Sequence, residues 1–205
     1  MASDDIVTTE TDISYTRESL RKATHLLAIV IPVTYLFTDR QLVLPVLIAI
    51  SATMILLETA RLRGWKMWAL VAWVWEPLIR PNEAGRYTGA SYILVAAIIT
   101  VVLFDKSVAV CALSFVILGD TAGALVGRRW GRVQFRNKTL EGSSAFFVVS
   151  LLPAFILSDS IPLWIGAIGA FVATLTEALS SELDDNLSVP LISGLIMHLL
   201  VRLTS

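Results

Sequence analysis

Apolar runs close to the length of a bilayer crossing recur along this whole sequence, and they leave few folds open to it. Stretches such as LVLPVLIAISATMILLETA and SVAVCALSFVILGDTAGALVG approach the roughly 20 residues a helix needs to cross the hydrocarbon core. The runs occupy approximately 23–38, 42–60, 88–104, 107–127, 144–157, 161–181 and 188–203. Backbone groups in lipid must be satisfied locally, and runs this long are no barrel strands, so they predict helices. The expected fold is therefore all-α, a polytopic membrane bundle of about seven transmembrane helices. Only 16% of the 205 residues are charged and 56% are hydrophobic, whereas soluble domains are about 25% charged.

Residues 1–18 read as a polar N-terminal tail, and 19–205 as a single membrane-embedded domain. The start, MASDDIVTTETDISYTRESLRK, is acidic and polar where a cleaved signal sequence would be basic and then apolar. The lone Cys111 rules out an intramolecular disulfide or a thiolate metal cluster within one chain. The lipid bilayer is the expected partner, and no nucleic acid is expected.

The segment WKMWALVAWVWEPLI (65–79) is too short in its apolar core to span. It holds four of the six tryptophans, which favour headgroup depth, and predicts one interfacial or re-entrant helix. The positive-inside rule agrees. With the N-terminus inside and seven spans, only Arg40, Lys106 and Arg202 of the 16 Lys/Arg fall outside, leaving thirteen inside. That topology gathers Arg21, Lys22, His25, Glu83, the basic loop after the fourth span, Glu177 and ELDDN (182–186) on the cytoplasmic side.

Within this frame Asp120 stands out. It lies seven residues before Gly127, so on a helix it sits roughly 10 Å inside the membrane edge. An ionisable group there marks function by default; the ordinary alternative is a helix–helix hydrogen bond. Gly119, Gly123, Gly127 and Gly131 recur every four residues. They form a bare ridge that suits close helix packing or, past the membrane edge, close approach of phosphate oxygens. Arg128, Arg129, Arg132, Arg136 and Lys138 then form a basic loop followed by Glu141. Alone it would be topogenic, but cations beside acids suit a phosphate–magnesium site. Neither a Walker A pattern nor the soluble protein-kinase signatures occur. His25 reads as structural, and His198, with no charged sequence neighbour, as a packing residue.

The blocks LGDTAGALVGRRWGR, KTLEGSSAFF and ALSSELDDNLSVPLISGL, with RKATHLL before them and RPNEAGRYTGASYIL between, resemble the CTP-dependent lipid-alcohol kinases. These are the dolichol, phytol and diacylglycerol kinase family of integral membrane enzymes. The resemblance runs in order from about residue 20 to 200. It implies transfer of the γ-phosphoryl of CTP to a lipid alcohol (polyprenol, phytol-like prenol or diacylglycerol) with Mg²⁺, giving lipid phosphate and CDP. It carries over Arg21, Lys22, Asp120, Gly127, Lys138, Glu141, Gly142, Asp184, Asp185 and Asn186 as family-important positions.

The expected site follows. Asp120 and an acid of the Asp184/Asp185 pair hold Mg²⁺, the pair itself leaving open which. Arg128, Arg129 and Lys138 neutralise the triphosphate, Arg21 and Lys22 close the site, and Gly123, Gly127, Gly142 and Asn186 complete the nucleotide contacts. Glu141 orients or deprotonates the alcohol. Two other readings share these residues: a CDP-lipid synthase releasing pyrophosphate, and a transporter or lipid-binding protein that turns over no nucleotide.

Overall fold

The computed structural model describes residues 21–79, 83–136, 138–180 and 184–204. The expected tail at 1–18 lies outside them. Each of the seven apolar runs is helical. The first is α1 (described over 21–27) followed by α2 (Val30–Phe37), and the second is α3 (Arg40–Leu62). After α4 (Ala72–Trp75), a four-residue turn in the tryptophan-rich stretch, the third run is α5 (Gly89–Leu103). The fourth is α6 (Lys106–Ser114) running through a π turn (Phe115–Gly119) into α7 (Asp120–Trp130). The last three are α8 (Leu140–Ile156), α9 (Leu163–Leu179) and α10 (Asp185–Thr204).

Three of these, α3, α6–α7 and α10, are long and apolar enough to cross a membrane, while α5, α8 and α9 are shorter apolar helices of 15, 17 and 17 residues. The α6–α7 helix is the axis of the bundle. Its most apolar window is 67% buried, against 28% for α3 and 33% for α10, so its neighbours shield it from lipid. Phe115, Val116 and Ile117 of the π turn are fully buried, with Phe146 of α8, Ile165 of α9 and Met197 of α10 in the same core.

Residues 65–79 do not form the single interfacial or re-entrant helix expected. They fold as a 3₁₀ turn (Lys66–Leu70), the short α4 and a second 3₁₀ turn (Glu76–Leu78). The chain leaves α3 through Gly64 at φ +65°, and Pro77 lacks the N–H that would extend α4. Trp73 is 79% exposed and Leu70 77%, so these turns present apolar surface outward, as a headgroup-level segment does. A small hairpin also departs from the all-α expectation. Gln134–Phe135 pairs antiparallel with Lys138–Thr139, and Arg136 takes the left-handed conformation (φ 54°) at its turn.

The glycine ridge is taken up by packing. A Cβ on Gly123 would lie 3.1 Å from the Gly142 carbonyl oxygen, and one on Gly142 would lie 2.8 Å from that of Gly123. On Gly127 it would meet Thr139 Oγ1 at 2.8 Å, and on Gly119 the Phe146 ring at 2.8 Å. Gly119, Gly123 and Gly127 thus face α8, correcting the expectation that this ridge offers bare backbone to phosphates. Backbone contact between α7 and α8 is what small residues at four-residue spacing permit.

Polar groups gather at the two ends of the bundle. At the far end from Asp120, Arg40 Nη2 donates to the Phe104 carbonyl at 3.0 Å, and the Lys106 ammonium lies 5.8 Å over the Tyr35 ring. Asp105 lies 3.4 Å from His198 Nδ1 and 3.6 Å from Arg202. His198, expected only to pack, therefore meets a charge brought to it by another helix.

Candidate active site

Asp120 is the first residue after the π turn, and that turn decides where its carboxylate points. A π turn inserts one extra residue into the helical register and recurs at functional positions. Asp120 is only 9% exposed. The Lys22 ammonium of α1 donates to its Oδ2 at 2.5 Å, and His25 Nε2, one turn further along α1, lies 3.6 Å from the same oxygen. The RKATH stretch thus turns two of its polar residues onto one buried acid.

Two more acids converge there. Glu177, near the end of α9, and Asp185, in the first turn of α10, each place a carboxylate oxygen within 4.8 Å of the others and of Asp120. Lys138, on the second strand of the hairpin, pairs with Glu177 and reaches Asp185 Oδ2 at 3.3 Å. Burial alone would lower the Lys138 pKa. The Asp185 and Glu177 carboxylates outweigh it, and the net shift is upward, so this ammonium stays charged at any working pH. Glu177 is 4% exposed, yet its Oε2 has no hydrogen-bond partner. A buried carboxylate oxygen without a donor is costly, and a hard cation is the partner that three convergent carboxylates suit.

Of the residues expected from the sequence, the structure brings Lys22, Asp120, Lys138 and Asp185 together. Asp184 does not join them, because it caps α10. Its Oδ1 accepts from the Asn186 N–H at 3.0 Å and from Asn186 Nδ2 at 2.8 Å. Burial and then the Asp185 charge raise the Asp184 pKa, while these hydrogen bonds pull it down. The tandem acids therefore divide the work, one capping and one facing the cluster. Asp184→Ala is expected to lower stability by about 1 kcal/mol, the usual worth of an N-cap, and to leave turnover within a few-fold. Asp185→Asn is expected to cost roughly 10²-fold in turnover. Thermal unfolding in detergent and initial rates measured on both variants check this.

Glu141 is not brought to the cluster either. Both its oxygens accept from the Val133 N–H at 3.3 Å, so it ties the basic loop to the start of α8. Within KTLEG four of the five residues have separate contacts. Lys138 meets the acids, Thr139 caps α8 by accepting from the Gly142 N–H at 3.1 Å, Glu141 holds Val133, and Gly142 packs on Gly123. Arg128 and Arg129 are exposed at the end of α7, Arg129 lying 5.2 Å over the Trp130 ring. Arg21 of α1 lines an apolar cavity between α1, α3 and α5, and Arg136 donates to the Leu179 carbonyl at 3.0 Å.

The sequence reading noted Glu177 only for its side of the membrane. The rule that singled out Asp120, an acid within an apolar run, applies equally to it. Glu58, buried in α3 at 2% exposure, was also missed. Its carboxylate accepts from the Thr88 N–H and the Ser91 hydroxyl, both at 2.9 Å, and from the Thr88 hydroxyl. It is fully partnered and anchors the start of α5.

Comparison with known proteins bears on what these charges serve. The chain is 31% identical over 183 residues, 85% of its length, to an uncharacterized protein of Rickettsia prowazekii, of which it covers 90%. It is 27% identical over 61% of its length to the CTP-dependent diacylglycerol kinase 1 of Schizosaccharomyces pombe, covering 66% of that protein. It is 34% identical over 53% of its length to a probable chloroplastic phytol kinase of Triticum aestivum, covering 42% of it. The kinase-named relatives support a CTP-dependent lipid kinase family for the chain, at moderate identity. The chain spans two thirds or less of these two named kinases. No family model matches it, and no solved structure does.

Proposed function

We propose that this protein phosphorylates a membrane lipid alcohol with CTP, releasing lipid phosphate and CDP at the cytoplasmic face of a seven-span, N-inside bundle. The observation that carries the reading is the buried cluster of Asp120, Glu177 and Asp185 with Lys22 and Lys138 at one end of the helices. The distribution of Lys/Arg supports the orientation, since among the described residues Arg40, Lys106 and Arg202 alone fall at the other end.

The chain's own residues account for most of the catalysis, as positioning and charge stabilisation do in phosphoryl transfer generally. Asp120, Glu177 and Asp185 fit a hard divalent cation and would hold Mg²⁺. When bound, it would draw charge from the β- and γ-phosphate oxygens of the nucleotide. Lys138 and Lys22, each already paired to an acid, have only to turn toward the triphosphate to neutralise it. Arg128 and Arg129, exposed at the cytoplasmic mouth, attract the nucleotide from water, and Arg21 closes the site from α1. The alcohol oxygen bonds to the γ-phosphorus as the bond from that phosphorus to the β,γ-bridging oxygen breaks. CDP leaves, and the hydroxyl proton ends on solvent water.

The test is product analysis. Purified protein in detergent with Mg²⁺, γ-labelled CTP and lipid alcohols should transfer label to the lipid in step with CDP. Pyrophosphate with a CDP-lipid would move the protein to the synthase reading. No nucleotide consumption with any alcohol would remove the kinase reading.

A further inference from the structure

The start of α5 has no cap of its own. Thr88 is its N-cap residue, yet the Thr88 side chain accepts from none of the first N–H groups and donates instead to Glu58 of α3. Glu58 also takes the Thr88 N–H, and Glu83 Oε1 takes the Gly89 N–H at 3.2 Å. Two acids from outside the helix thus do what a capping side chain does elsewhere, at a terminus that favours negative charge. Both are buried, and a buried, hydrogen-bonded network of this kind holds the first residues of α5 rigidly. The first turn of α10 lies against that backbone. A Cβ on Gly89 would stand 2.7 Å from Asn186 Nδ2, inside any ordinary contact. Gly89 has no positive φ, so the glycine serves the close approach and not the backbone angle. From its other side the Asn186 amide is held by Asp184, to which Nδ2 donates at 2.8 Å. The residue just before Asn186 is Asp185, the α10 acid that faces Asp120 and Glu177. Successive side chains on a helix stand at a fixed angle, so the resting place of Asn186 decides where the Asp185 carboxylate points.

From this geometry we infer that Glu58 and Gly89 are positioning residues for the acid cluster. Glu58 fixes the α5 backbone, Gly89 lets Asn186 lie against it, and that seat sets the place of the Asp185 carboxylate. The inference rests on the kinase reading above and adds residues that act on the cluster from a neighbouring helix pair. Both act through Asn186, and neither has to reach a phosphate or a cation. The seat also explains why the Asp184 cap is dispensable for turnover: with Asp184 replaced, Asn186 still rests on Gly89 and Asp185 keeps its direction.

The full chain in nanodiscs tests this with Gly89→Ala, Asn186→Ala, the double variant, Glu58→Gln and Glu58→Leu. The readouts are kcat with CTP, Mn²⁺ affinity by paramagnetic resonance without nucleotide, and Tm. In Gly89→Ala the amide must retreat from 2.7 Å to the 3.4 Å or more of an ordinary contact. A misplacement of about 1 Å costs up to roughly 10²-fold, so kcat and Mn²⁺ affinity should each fall about tenfold. Tm should hold, because alanine suits a helix better than glycine does. On the Asn186→Ala background the same substitution should cost nothing further, since no amide is left to displace; such non-additivity marks residues that act through one contact. Glu58→Gln keeps an acceptor for the Thr88 N–H and the Ser91 hydroxyl and should stay close to wild type. Glu58→Leu strips α5 of its cap and should match Gly89→Ala. Wild-type kcat and Mn²⁺ affinity in Gly89→Ala, an undiminished Gly89→Ala effect on the Asn186→Ala background, or equal losses in Glu58→Gln and Glu58→Leu would each overturn the inference. Should Glu58→Leu fail to fold, the Gly89–Asn186 cycle still decides. If the wild type phosphorylates no alcohol, the kinase reading fails and the Mn²⁺ affinities decide the positioning alone; a wild type that neither turns over nor binds Mn²⁺ overturns both.

Discussion

Asp120→Asn should abolish turnover, by roughly 10³-fold or more, while the protein remains inserted and folded. Asparagine keeps the shape of the side chain and can still accept from Lys22, so the buried pair at 2.5 Å becomes a neutral–cation hydrogen bond and leaves no gap. What disappears is the charge, and electrostatic stabilisation of a transferring phosphoryl group is where losses of this size arise. The neighbouring core supports continued folding, since α6–α7 is held by Phe115, Val116, Ile117 and Phe146. Initial rates with CTP, beside thermal unfolding and gel filtration in detergent, separate the two effects. Near-normal turnover would reduce Asp120 to a packing residue and remove it from the mechanism.

Glu177→Gln should cost a comparable amount, roughly 10²- to 10³-fold, and should also lose metal binding. Two arrangements could explain the wild-type glutamate, a cation ligand or a counter-ion for Lys138. They predict different results. The substitution leaves Lys138 paired to Asp185 at 3.3 Å, so a counter-ion role predicts little change in metal affinity. A ligand role predicts weaker Mn²⁺ binding by paramagnetic resonance, measured without nucleotide. Unchanged Mn²⁺ affinity in Glu177→Gln would take Glu177 out of the cation site.

The helical runs were legible in the sequence because lipid allows few alternatives, and every apolar run is a helix. That Lys22, Asp120, Lys138, Glu177 and Asp185 share one end was legible too. What could not be read was the pairing across helices. Asp184 and Asp185 look equivalent in ELDDN, and only the start of α10 between them assigns one to capping. The Gly119–Gly127 ridge could serve phosphate or packing equally on spacing, and the approach of Gly142 from α8 decides it. His198 has no charged neighbour in sequence, yet meets Asp105 because α6 begins where α10 ends. Glu141 follows Lys138 by three residues but turns to Val133, because the hairpin between α7 and α8 folds back on itself.

The shortness of α8 and α9 has a further consequence for the membrane itself. A helix of 17 residues covers about 25 Å, against roughly 30 Å of hydrocarbon. In the seven-span arrangement proposed above, local thinning of the bilayer would take up that shortfall at a modest elastic cost per ångström. The headgroup plane would then dip around the helices that end near Glu177 and begin beside Lys138. An alcohol drifting in the leaflet would arrive there already near the depth of the acids, and water would reach them without a channel. The protein would set the depth of its own substrate by deforming the solvent that carries it.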